Sequence, residues 1–148
     1  MNSTLLHEHA GQRTFVLVFE TGDDLMRPLL DFCRRERLSA SHFTGIGAFR
    51  RVTVAYFDWR TKQYQHIEVE EQVEVLALSG DIALKDADPQ VHAHVVLGKA
   101  DATAHGGHLV DATVRPTLEL VITESPAHLR RRLDDETQLA LIDVRATG

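Results

Sequence analysis

Cysteine is nearly absent from this chain. Cys33 is the only one in 148 residues, which excludes an intrachain disulfide and a cysteine-rich zinc site and fits a reducing, cytoplasmic setting. Basic residues are also in deficit. Sixteen Lys and Arg against 22 Asp and Glu leave a net charge of -6, so the chain as a whole repels phosphate backbones and anionic membrane surfaces. No stretch approaches the roughly 18 uninterrupted apolar residues of a membrane-spanning helix, and MNSTLLHEHAGQRTF lacks the charged-then-apolar order of a signal peptide. The expectation is a soluble, unexported protein. There is no internal repeat, heptad run or low-complexity tract either, and a chain of this length with 43% hydrophobic residues suits a single core. We read one domain over residues 14–144, with residues 1–13 and 145–148 as mobile ends.

What is present is mostly strand-forming. TFVLVFETG (14–22) is an aromatic and β-branched run stopped by glycine. The period then changes: Leu25, Leu29, Phe32 and Cys33 recur at helical spacing, predicting a principal helix over roughly residues 23–37. Asp23 or Asp24 is placed to cap it, and Pro28 is tolerable only in its first turn. SASHFTGIGAF (39–49) leads through Gly45 and Gly47 into RVTVAYFD (51–58), and a polar turn separates that from QYQHIEVE (63–70). EVLALSGDIAL (74–84), with Gly80 as a possible bulge, TLELVIT (117–123) and LALIDV (139–144) supply further strands. The fold class that follows is α+β, with a mainly antiparallel sheet of at least five strands and flanking helices.

The chemistry gathers in VHAHVVLGKADATAHGGHL (91–109). His92, His94, His105 and His108 fall within 17 residues, where an even spread of the nine histidines would put about one. In a strand, His92, His94 and Val96 share one face and Val91, Ala93, Val95 and Leu97 the other. The two histidine Cα atoms then lie roughly 6.6 Å apart at about 3.3 Å per residue, within reach of one metal ion. The turn-rich KADATAHGG segment can return His108 beside them, and Gly106 and Gly107 permit close backbone approach. Three histidine nitrogens leave one position open for water or substrate, as in a catalytic-type zinc site. His105 competes with His108, but it precedes the glycine pair and is not required to complete the site.

GIGAF (45–49), SGDIAL (79–84), HAHVVLGKADATAHGGHL (92–109) and LELVIT (118–123) together resemble the plants-and-prokaryotes-conserved (PPC) domain, of the stand-alone prokaryotic type, over about Thr14 to Val144. The H-x-H…G-G-H-L run is the most specific part. Where the family pattern has Gly after the turn Asp, this chain has Ala102. The resemblance implies a homotrimer, with a metal held at His92, His94 and His108, and a more distant likeness to the acetolactate decarboxylase fold. A decarboxylase-like site would add a nearby acid and a basic group. For these the chain offers Glu119 and one of Arg50, Arg51 or Arg115, with Glu119 and Arg115 the low-ranked catalytic candidates.

Three functional readings remain. One is a metal-dependent enzyme or binder of a small oxygen-bearing ligand. Another is a DNA-binding or regulatory protein, which the resemblance allows, although the chain has no AT-hook and its basic runs RRER (34–37) and RRR (130–132) are offset by nearby acids. The third is a trimeric interaction module stabilised by its metal.

Overall fold

A computed structural model describes residues 1–146. The elements run β1 (Asn2–His9), β2 (Gln12–Glu20), α1 (Met26–Glu36), β3 (Ala40–Asp58), β4 (Gln63–Val69), β5 (Val73–Lys85), β6 (Asp88–Gly98), β7 (Ala104–Glu124), β8 (Arg131–Leu133) and β9 (Ala140–Ile142). The fold is thus mostly antiparallel sheet. The expected flanking helices reduce to one helix among the described residues. No helix of these residues is long and apolar enough to cross a membrane. Of the tail expected to be mobile, Thr147 and Gly148 lie outside the described residues. Ahead of Thr14, where no strand is expected, β1 pairs with β2.

The strand order is β1-β2-β7-β6-β5-β3-β4, and β7 also pairs with β3. That extra pairing joins β7, β6, β5 and β3 into a closed circuit. Both long strands take part. Phe43 sits between Gly80 and Ile122, and Gly45 between Leu78 and Leu120. Glycine is required at position 80 because a Cβ there would lie 2.4 Å from both His92 O and Phe43 Cζ. Its register with Phe43 and Ala93 is regular, so the bulge expected at Gly80 is absent; β5 bulges between Val75 and Ala77.

The helix packs on the inner face through Leu29, Phe32 and Cys33, all buried. The Phe32 ring meets Phe15 edge to face at 5.3 Å. Burying such a ring contributes about 2–3 kcal/mol. Pro28 sits in the first turn, where its missing N–H costs nothing. Neither Asp23 nor Asp24 caps the helix: Leu25 is the N-cap residue and makes no side-chain bond, and Asp23 Oδ2 instead accepts from Glu20 N–H at 2.9 Å. At the other end Arg37 adopts φ 55°, and Leu38 N–H reaches Cys33 O at 2.9 Å, closing the last turn. Burial pushes the Cys33 thiol up to about 12, which keeps it protonated and unreactive.

Two tight turns set the register of the site strands. β5 and β6 are joined by Asp86 and Ala87, both with positive φ, as a type I′ turn requires. β6 and β7 are joined by the five residues 99–103, in which Lys99 N–H donates to Thr103 O, Ala102 N–H donates to Lys99 O and Ala102 has φ 65°. Asp101 holds this loop, accepting from the backbone N–H and hydroxyl of Thr103. Two alanines therefore occupy left-handed positions that favour glycine. Ala87→Gly and Ala102→Gly should each stabilise the fold by up to about 1 kcal/mol, read as a higher urea midpoint at unchanged slope. A fall in midpoint for both would overturn this account of the turns.

Candidate metal centre

Register alone converges the three histidines. His94 on β6 lies directly opposite His108 on β7, and His92 lies two residues along β6 on the same face. Directly opposed residues have Cβ atoms about 4.5–5.5 Å apart, and diagonal neighbours remain within reach of a ring. The ring centroids are separated by 5.2 Å (His92–His94), 5.2 Å (His92–His108) and 5.5 Å (His94–His108). One nitrogen from each ring lies within 4.8 Å of the others. Tetrahedral zinc with bonds of 2.0–2.1 Å would bring such nitrogens to about 3.3 Å, a closure that small side-chain rotations provide.

The opposite face of β6 carries the core residues Ala93, Val95 and Leu97, as the alternation predicts. His105 also lies apart. It pairs with Leu97, three residues before His108, and an odd offset along a strand points a side chain to the other face. The glycine pair between them works by close approach. A Cβ on Gly106 would lie 2.5 Å from Val95 O, and one on Gly107 2.9 Å from Ala55 O.

Three neighbours of the cluster are not among the site residues singled out from the sequence. Tyr64 on β4 stacks on His108 with centroids 4.7 Å apart. Asp81, directly opposite His92 on β5, places Oδ2 3.6 Å from His92 Nδ1. Its other oxygen accepts from Arg131 Nη2, whose side chain is 5% exposed. Burial is the largest influence on Asp81 and raises it. The nearby His92 ring and the charge of Arg131 outweigh burial and hold the carboxyl below the ordinary range.

The catalytic candidates are elsewhere. Glu119 is exposed on β7 and shares a groove with Ile46, Leu76 and Val121. Arg115 and Arg50 are exposed, and Arg51 Nε donates to Thr113 at 3.1 Å. None of these joins the histidine cluster.

The electrostatics keep His94 and His108 neutral. Burial, then the charges of His92, His94 and His66, pull His108 down to about 4. Burial and His92 lower His94 in the same direction. His108 Nδ1 is buried with no hydrogen-bond partner among the described residues, and three uncharged nitrogen donors suit a borderline divalent metal.

The model of the Plants and Prokaryotes Conserved (PCC) domain matches residues 6–126. No curated protein sequence matches the chain. Among solved structures, a metal-containing protein of Archaeoglobus fulgidus is similar at 36% identity and TM-score 0.81, over 87% of this chain and 91% of that one. A Ralstonia eutropha JMP134 protein named as a "putative DNA-binding protein" is 28% identical with TM-score 0.81, over 88% and 90%. Alpha-acetolactate decarboxylase from Bacillus subtilis strain 168 shares the fold at 13% identity and TM-score 0.53, over 74% of this chain and 51% of its own.

Proton linkage gives a test on metal-free protein. The ordinary histidine value is 6.5 and the folded value of His108 about 4, so the unfolded chain binds more protons between them. The metal-free fold should keep its full stability above about pH 6.5 and lose it as pH falls toward about 4. Urea midpoints at pH 7 and pH 5 measure the loss, which should shrink in His108→Phe. An equal loss in that variant would contradict the assignment.

Proposed function

Since this chain belongs to the Plants and Prokaryotes Conserved domain family, we propose that His92, His94 and His108 hold one divalent metal ion, zinc, with a coordination position open to a small oxygen-bearing ligand. The observation that carries this is the convergence of three ring nitrogens within 4.8 Å, one belonging to a ring whose buried Nδ1 is otherwise unpaired. The relation to a metal-containing protein at 36% identity supports it. Zinc, when bound, supplies a Lewis acid that polarises a ligand oxygen or lowers the pKa of bound water. The chain's own residues do the positioning. The Asp81 carboxylate, 3.6 Å from His92 Nδ1, supports that ring electrostatically, while Arg131 fixes Asp81.

We place this site in a homotrimer. Ile46, Leu76, Val96 and Val121 are all more than two-fifths exposed on the outer sheet face, and an apolar face of this kind is stabilised by covering it. The molar mass in solution should be three times 16.6 kDa, and Ile46→Asp with Val121→Asp should lower it. A monomer at micromolar concentration by light scattering would refute the assembly.

A second reading, DNA binding, is favoured by the name of the Ralstonia relative. The net charge of -6 opposes it, because few phosphates can be neutralised. Binding to duplex DNA at about 0.15 M salt should be weak, and tight binding with a steep salt slope would reverse the ranking.

Calorimetric zinc titration of the chelator-treated chain tests the metal site. One zinc per chain is expected. His92→Ala, His94→Ala and His108→Ala should each weaken it beyond the roughly 10–100-fold typical of lost supporting contacts, the range expected for Asp81→Asn. His105→Ala should leave it unchanged. No saturable binding in the parent chain would remove the proposal.

A further inference from the structure

Three buried side-chain atoms lack a hydrogen-bond partner among the described residues: Gln90 Oε1, His108 Nδ1 and Arg131 Nε. All three residues line one cavity of about 190 Å³ between the histidine cluster and the β8–β9 hairpin. Buried polar groups are nearly always paired, so three orphans around one space mark a place built for something polar. The hairpin closes that space. Leu84 N–H donates to Leu129 O at 2.8 Å, and Arg131 Nη1 donates to Ala140 O at 3.1 Å. With Nη2 on Asp81, Nε–H is the guanidinium edge left over.

We propose that this cavity binds a small 2-hydroxycarboxylate, with Arg131 and Gln90 as the residues that select it. The orphans define the ligand. Arg131 Nε–H requires an acceptor, which a carboxylate oxygen supplies. Gln90 Oε1 requires a donor, which the hydroxyl supplies. A volume of about 190 Å³ is enough to hold a molecule as small as glycolate or lactate together with ordered water. Asp81 already neutralises Arg131, so net positive charge for an anion comes from the ion proposed at the histidines, and the inference rests on that reading. Of the two selecting residues, Gln90 lies within residues 6–126, the part matched by the family model, and Arg131 lies beyond it.

The test is titration of the full chain, loaded with one equivalent of zinc and no excess, with glycolate and with acetate, which lacks the hydroxyl. Glycolate should saturate and acetate should bind about tenfold more weakly, the value of one added hydrogen bond. Gln90→Met should erase that ratio without altering zinc stoichiometry. Arg131→Lys keeps a cation beside Asp81 but removes Nε–H, and should weaken both ligands about tenfold or more. Equal binding of glycolate and acetate to the parent chain, or a ratio unchanged in Gln90→Met, would overturn the proposal, as would ordered water alone in a glycolate-soaked crystal. If zinc itself does not bind, the metal reading fails separately. The same titrations on the metal-free chain then decide the pocket: saturable glycolate binding lost in Gln90→Met retains it, and no binding ends it.

Discussion

Everything at the site depends on β7 being paired on both sides at once. His108 lies opposite His94 on β6 and opposite Ala55 on β3, so its backbone is fixed from two directions while its ring projects beside the other two. A strand has a period of two, and a slip of one residue would send His108 into the core and bring Gly107 or Leu109 to the cluster. The glycine pair is the steric condition for this arrangement, since both positions press against carbonyl oxygens of neighbouring strands. Backbone hydrogen bonding thus does the work of aiming, and the imidazoles need little order of their own.

Burial first, and then the charges of neighbouring rings, make His108 and His94 reluctant to take up protons. The ring centroids are 5.2–5.5 Å apart, close enough for positive charge on one ring to oppose charge on the next. A site that resists protons stays available to a metal at lower pH than free histidine would. Asp81 and Arg131 form the other half of the electrostatic arrangement: a carboxylate aimed at a histidine, held by a buried cation whose own charge it balances.

The histidine face was legible because alternation in VHAHVVLG is strong and the residues are adjacent in sequence. His105 could be set aside, although parity along β7 is the sharper reason. Asp81 was within reach of sequence reasoning: a two-residue turn at Asp86 and Ala87 implies the register that puts it opposite His92. Tyr64 and Arg131 were not, because each arrives through a pairing of strands distant in sequence that no local pattern encodes. The fold class was read with too much helix. Strand β1 was missed because its residues are exposed throughout and carry no apolar alternation, and β3 and β7 were cut short because their bulges interrupt the period on which strand reading relies.

The β8–β9 hairpin stands in a different relation to the rest of the chain. It touches the sheet chiefly through β5, pairs otherwise with itself, and lies past the residues shared with the family model. Substitutions there leave the closed strand circuit untouched and act chiefly on the cavity that Arg131, Leu139, Ala140 and Leu141 line. The lining of this cavity can therefore be rewritten from a terminal flap while the strand circuit and the three histidines on β6 and β7 stay in place.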